Sequence, residues 1–252
     1  MIPKFLDQTI SLNFKNRDTS KKSENSFLYR MEKYAVIVAG GAGLRMGSET
    51  PKQFLLLHGK PVLWHSVQAF QHAFSNIKIV LVVPEAHLQN EWIHVLCTAD
   101  NVSAVTGGET RFSSVKNGLQ QVPHHCVVFV HDGVRCLLSP NLIRRCYNQT
   151  IESGNAIPVV TATDSLRIEK EASHVVIDRQ HIRMVQTPQT FLSNDLKDAF
   201  SQSYQNIFTD EATVMEAFGK PVFLIEGEYE NIKITRPIDL IVAEAILKNR
   251  QS

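Results

Sequence analysis

The chain has 252 residues, 43% hydrophobic and 20% charged, enough to bury the core of one α/β domain. Its 26 basic and 25 acidic residues leave a formal charge of +1, which provides no general field for a nucleic acid or an anionic membrane, so positive potential has to be built inside a pocket. No apolar run approaches a bilayer span, and Cys97, Cys126, Cys136 and Cys146 come with neither C-x-x-C pairs nor a secretory leader, so reduced thiols, no zinc and a cytoplasmic protein are expected.

Residues 1–30 are rich in Lys, Ser and Asn and have no sustained period, which predicts a flexible extension ahead of a single domain over 31–252. Asp7, Asp18 and Glu24 argue against an acid-poor transit peptide. The apolar run over 34–39 then suits a strand covered on both faces, as in a parallel sheet. Gly40, Gly41 and Gly43 follow, permitting a sharp turn in which backbone N–H groups converge on an anion. Arg45 and Lys52 can set fixed positive charge beside a polyphosphate. A third small residue is missing where the dinucleotide fingerprint needs one (Met46), and Gly47 precedes Ser48 and Glu49 rather than Lys-Ser/Thr, so neither a Rossmann loop nor a P-loop fits. A nucleoside triphosphate is the expected guest.

Helical spacing of Val62, Leu63, Val67, Phe70 and Phe74 after Pro61 predicts a helix, with Trp64 and His65 packing at its rim. Residues 77–83 read as a second buried strand, and a helix through Leu88, Trp92, Val95 and Leu96 returns the chain, a pattern that calls for right-handed parallel crossovers. Gly107, Gly108, Glu109, Thr110 and Arg111 open a helix carrying Phe112, Val115 and Leu119, with Ser113 and Ser114 in the turn where free N–H groups meet a ligand. Arg111 reads equally as a ligand-facing cation or a surface cap charge.

The strand over 127–130 ends at His131-Asp132, and a carboxylate at the carboxyl end of a central parallel strand is where open α/β sheets place chemistry. In a triphosphate site Asp132 would hold Mg²⁺, directly or through water, a hard cation that takes oxygen ligands; the alternative for Asp132 is a helix or turn cap, and His131 reads as structural. Ser139-Pro140 starts the next helix and residues 155–160 the next strand. Residues 161–183 then suggest a β-hairpin arm with too little core to stand alone, which predicts a homodimer made by crossing onto a second subunit. A helix over Leu196 and Phe200, a capping pattern at Thr209-Asp210-Glu211-Ala212, strands over 221–225 and 231–237, and a final helix with Leu240, Val242, Ala243 and Leu247 inward complete the chain. Lys233, off the apolar face, either reaches back to the pocket or is a solvated lysine.

In this order GGAGLRMG with PKQF, GGETRFSSV, VHDGVR, TDSLR, DR, VQTPQ, FTDEA and NIKITRP resemble the 2-C-methyl-D-erythritol 4-phosphate cytidylyltransferases of the non-mevalonate isoprenoid route, over essentially Tyr34 to Asn249. The resemblance implies a modified doubly wound, mostly parallel sheet, like that of nucleotide-diphospho-sugar transferases, with a dimerisation arm. It also implies that Ala39, Gly40, Gly41 and Gly108 hold CTP, with Glu109 and Ser114 near cytosine and ribose. Arg45, Lys52 and Lys233 would line the triphosphate as catalytic cations, and Asp132 would lie between Mg²⁺ and substrate. Arg135, Thr187 and Thr235 would face the polyol phosphate, joined by Ser165 and Arg179 from the partner's arm. Glu109 stands where Asp is usual, Ser165 where Thr is, and Cys136 where Pro is; the last removes a rigid turn beside Arg135 and is a candidate oxidisable thiol. The alternatives are a cytidylyltransferase for another polyol phosphate such as ribitol 5-phosphate, a nicotinamide dehydrogenase, disfavoured by the missing glycine, and a non-catalytic nucleotide-binding module.

Overall fold

The computed structural model describes residues 31–41, 46–171 and 173–251, so the predicted extension and Arg45 of the glycine loop lie outside the described residues. Strand β1 (Lys33–Val38) is the apolar run read from the sequence. A short hairpin, β2 (Leu56–Leu57) and β3 (Lys60–Pro61), leads into helix α1 (Val62–Ala73), and β4 (Lys78–Val83) follows. Helix α2 (Glu91–Leu96) is capped by Asn90, whose side chain accepts from the Trp92 N–H (2.9 Å), and it returns the chain to β5 (Val102–Thr106). Then come α3 (Arg111–Leu119), β6 (Val127–Asp132), α4 (Pro140–Ser153) and β7 (Asn155–Thr161). Helix α4 begins where Ser139-Pro140 predicts, with Ser139 Oγ accepting from Leu142 N–H (3.0 Å), and stops at left-handed Gly154.

Strands β5, β4, β1 and β6 pair in parallel, in that order, with Val38 opposite Asp132 and Ile37 opposite Leu81. Both faces of β1, β4 and β6 are covered, which is why these three read as continuous apolar runs rather than alternations, whereas β5 is an edge strand with Ser103 and Thr106 exposed. One face presents Val36, Val80, Val82, Val128 and Val130 to Phe112, Val115 and Leu119 of α3. On the other, Phe70 of α1 meets Phe129 and His131 edge to face, at ring centroid distances of 5.6 and 5.4 Å. Gly118 lets α3 approach: a Cβ there would stand 2.5 Å from Val36 Cγ1 and 2.8 Å from Val82 Cγ2.

The hairpin β8 (Leu166–Lys170) and β9 (Ser173–Ile177) forms a separate two-stranded sheet, where the sequence predicts an arm. Strands β10 (Arg183–Val185) and β11 (Gln189–Leu192) bring the chain back, and β11 enters antiparallel between β6 and β7. Helices α5 (Ser193–Ala199) and α6 (Glu211–Ala217), strand β12 (Leu224–Glu226), parallel to β7, and helix α7 (Pro237–Gln251) complete the chain. The mostly parallel, modified doubly wound sheet expected from the sequence is therefore what forms.

Two local expectations fail. Residues 231–237 are not a strand. Ile234 N–H does donate to Val134 O (2.9 Å), but Thr235 and Arg236 N–H both turn to the Asp239 carboxylate (2.7 and 2.8 Å), ending any ladder at the start of α7. Val242 is 41% exposed because Leu240, Ala243 and Leu247 form the inward stripe, and a position two residues from Leu240 points roughly 200° away.

Candidate active site

The carboxyl ends of β1, β5 and β6 open onto a pocket of about 290 Å³. Its floor begins where pairing along β1 ends: Ala39 N–H donates to Val82 O (2.8 Å), and Gly40 and Gly41 then run exposed along the rim. A Cβ on Gly41 would touch Lys52 Cε at 3.7 Å, so the lysine stem lies over the loop. Lys52 opens a single 3-10 turn (Lys52–Phe54), and the next residue fixes that turn to the strand end, Gln53 Nε2 donating to Ala39 O (2.8 Å). Gln53 Oε1 is buried with no hydrogen-bond partner among the described residues.

The second loop is shaped by hydroxyls. Thr110 and Ser113 form a reciprocal capping box at the start of α3, with Ser113 N–H donating to Thr110 Oγ1 (3.0 Å) and Thr110 N–H to Ser113 Oγ (2.9 Å). Ser114 Oγ accepts from Gly108 N–H (3.0 Å), closing the loop onto its helix. The loop has no room for a side chain at Gly108, where a Cβ would stand 2.4 Å from Ser113 Oγ.

Asp132 lies at the centre of the charges. Arg111 Nε and Nη2 donate to its Oδ1 (3.3 and 3.2 Å), and Lys233 Nζ stands 2.7 Å from its Oδ2. The other edge of the Arg111 guanidinium is held by Glu211, Nη1 to Oε1 and Nη2 to Oε2 (2.5 and 3.0 Å), a bidentate pair with a fully buried carboxylate. Burial alone would raise the Asp132 pKa, but Arg111 and Lys233 hold its carboxyl well below the usual range. Burial likewise disfavours the charge on Arg111, and its two carboxylates more than offset that. At Glu211 burial outweighs the pull of Arg111 and raises the carboxyl pKa above its ordinary value, yet both oxygens accept from the Arg111 guanidinium, the geometry of the ionised form.

Behind Asp132 runs a buried relay. Burial depresses the His131 pKa to about 3, so the ring is neutral. Its Nε2 faces Arg135 O (3.3 Å) and must donate there, leaving Nδ1 to accept from the Thr187 hydroxyl (3.0 Å). Thr187 Oγ1 in turn accepts from Asp132 N–H (3.0 Å), which locks the end of β6.

Of the residues singled out in the sequence, Ala39, Gly40, Gly41, Lys52, Gly108, Glu109, Ser114, Asp132 and Lys233 line one pocket. Arg135, Thr187, Thr235, Ser165 and Arg179 do not. Arg135 donates to Asn231 O (2.8 Å), Thr187 serves the relay, and the Thr235 hydroxyl donates to Asp239 (2.8 Å). Ser165 and Arg179 are exposed on the arm, Arg179 bonded to Thr163 O. Cys136 is buried in an apolar cluster and its thiol is pushed up to about 12, so it is not the oxidisable thiol expected. From the sequence, Arg111 reads either way, Glu211 reads only as part of a cap, and Gln53 carries no signal. The bond that makes Glu211 part of the site spans one hundred residues, and no local pattern signals it. A larger groove of about 900 Å³, between Ser139, Thr161, Arg183 and residues 226–230, includes neither glycine loop nor Asp132.

Residues 34–249 match the family described as IspD, 2-C-methyl-D-erythritol 4-phosphate cytidylyltransferase. A 2-C-methyl-D-erythritol 4-phosphate cytidylyltransferase from Bacteroides thetaiotaomicron is 45% identical over 221 residues, covering 86% of this chain and 100% of that protein. One from Porphyromonas gingivalis W83 is 46% identical over 221 residues, covering 86% and 98%. Among solved structures, the 4-diphosphocytidyl-2C-methyl-D-erythritol synthase of Anaerococcus prevotii aligns with a TM-score of 0.75 at 26% identity, covering 88% and 99%. The Francisella tularensis cytidylyltransferase aligns at 0.70 and 32% identity, covering 85% and 99%. With one pocket joining both glycine loops, Lys52, Asp132 and Lys233, and a match running nearly the length of the domain, the chain belongs to the IspD family of 2-C-methyl-D-erythritol 4-phosphate cytidylyltransferases.

Proposed function

We propose that the protein transfers the cytidylyl group of CTP to 2-C-methyl-D-erythritol 4-phosphate, giving 4-diphosphocytidyl-2-C-methyl-D-erythritol and pyrophosphate. The observation that carries this reading is the family match over residues 34–249. The alternatives weighed from sequence have no comparable support.

A phosphate monoester has a second pKa of about 6, so the acceptor is largely dianionic near neutral pH and needs no strong base. Its oxygen attacks the α-phosphorus, the bond to the β,γ-diphosphate breaks, and that electron pair leaves on pyrophosphate. The barrier is the approach of an anion to a polyanion and the charge growing on the leaving oxygen. In this reading Lys52, Lys233, Arg45 and the N–H groups of Gly40 and Gly41 oppose that charge, and Glu109 and Ser114 lie by the nucleoside. The Asp132 carboxylate, ionised and directed into the pocket, fits a cation that takes one protein carboxylate and draws its other ligands from phosphates and water. Mg²⁺ bound there would supply neutralisation of the triphosphate.

The same reading makes the arm a dimer contact. Ile168 and Val175, opposite one another on the hairpin, are 51% and 46% exposed, an apolar face suited to a second copy, which would bring Ser165 and Arg179 to the partner's acceptor site beside Arg135, Thr187 and Thr235. No helix among the described residues is long and apolar enough to cross a membrane, and the reading places the enzyme in the cytoplasm. Pyrophosphate release tests the substrate assignment: it should require CTP and methylerythritol 4-phosphate, and release with ribitol 5-phosphate alone would move the enzyme to another acceptor.

A further inference from the structure

We propose that Glu211 is a positioning residue whose buried carboxylate neutralises Arg111, so that the negative charge of Asp132 stays available to the divalent cation of a bound nucleotide. The inference rests on the reading of Asp132 as the carboxylate that meets that cation. Asp132 faces two cations, Arg111 on one oxygen and Lys233 on the other. With Glu211 ionised, the four groups sum to zero; without it they sum to +1, and a divalent cation would be repelled from the position it must occupy. The two cations differ in freedom. Lys233 sits on a long, 41% exposed side chain and can swing away toward phosphates, whereas Arg111 is gripped at both edges of its guanidinium and remains beside Asp132.

The fold places Glu211 for this task. It is the first residue of α6, whose start is clamped to β11 by Gln189: Nε2 donates to Asp210 Oδ2 and Oε1 accepts from Ala212 N–H, each at 2.8 Å. Asp210 caps the helix, its Oδ1 accepting from Thr213 N–H (2.9 Å), so Asp210 satisfies the helix end while Glu211 turns inward with no exposed surface. A carboxylate buried against one guanidinium, itself shared with a pocket carboxylate, is an outer-shell arrangement that tunes what the inner carboxylate can bind.

The test is calorimetric and needs no turnover. CTP binding without acceptor is measured with Mg²⁺ and with EDTA, and the ratio of affinities is the metal enhancement. E211Q should bind CTP in EDTA at least as tightly as the wild type, because the added positive charge favours a polyanion, bind CTP with Mg²⁺ more weakly than the wild type, and lose on the order of tenfold or more in metal enhancement, within the range seen for outer-shell changes. A salt bridge that only ties α6 to α3 would lower the melting temperature and leave that ratio unmoved. Because E211Q leaves a half-buried guanidinium half-paired and is expected to melt lower, the neutral pair R111Q/E211Q serves as the second variant. With the total charge restored, it should recover the enhancement to within about threefold of wild type. Wild-type enhancement preserved in E211Q, or lost equally in R111Q/E211Q, would overturn the proposal alone; no enhancement in the wild type would overturn it together with the metal reading of Asp132.

Discussion

Lys52 owes its position to its neighbour. Gln53 ties the turn to the end of β1, and the Lys52 stem crosses Gly41, so its charge is held over the glycine loop. An ammonium preorganised where charge grows acts on the transition state more than on the bound substrates. Lys52→Ala should therefore lower kcat by an amount corresponding to about 3 to 4 kcal/mol, the scale of a lost oxyanion donor, with a smaller change in KM for CTP. Steady-state kinetics at saturating substrates check this, and an unchanged kcat would remove Lys52 from the reaction. His131 carries a pH prediction. Its pKa is about 3 in the folded protein against an ordinary 6.5, so between these values the unfolded chain binds the proton that the folded one refuses, and stability falls as pH falls. Urea unfolding should show the wild type losing about 2 kcal/mol more than His131→Gln between pH 7 and pH 5, and equal losses would contradict a neutral buried ring. Cys136 should resist alkylation at pH 8 in the native protein and react in urea. Asp132 was legible because a strand end announces itself in the apolar pattern. The Arg111–Glu211 pair was not, because only tertiary structure brings α3 and α6 together.

At the level of elements, the buried parallel strands and amphipathic helices were readable because burial on both faces writes a long apolar run and burial on one face a 3.6-residue period. Strands β10 and β11 were not, being short, β5 was not because Ser103 and Thr106 interrupt its apolar residues at the sheet edge, and β11 carries Gln189 and Thr190 as buried polar residues that break the expected pattern. The segment over 231–237 has the alternation of a strand, with Ile232 and Ile234 inward and Lys233 out, yet its amides are claimed by Asp239. Glycine at position 118 contradicts helix propensity, which favours Ala by about 1 kcal/mol. Contact decides instead: Gly118→Ala should destabilise by roughly 1 to 3 kcal/mol through overpacking against Val36 and Val82, read as a lower urea midpoint, and a raised midpoint would show that α3 has slack. Arg179→Ala should raise KM for the sugar phosphate while leaving CTP binding in place, and unchanged kinetics would remove the arm from the acceptor site.

For the whole molecule, a formal charge of +1 means that the positive field needed by two polyanions has to be local. The sheet supplies it by ending three parallel strands at one edge, where backbone N–H groups, Lys52 and Lys233 surround a carboxylate held ionised by Arg111. The larger groove along β7 and β12 is lined by neither glycine loop and by none of Lys52, Lys233 and Asp132. Attack of the acceptor phosphate on the α-phosphorus of CTP can be followed atom by atom, with methylerythritol 4-phosphate carrying ¹⁸O in its phosphate incubated with CTP and Mg²⁺ and observed by ³¹P NMR. Cytidine diphosphate diester and pyrophosphate should appear in equal amounts, with all of the label in the diester; label in pyrophosphate, or CMP in place of the diester, would contradict it.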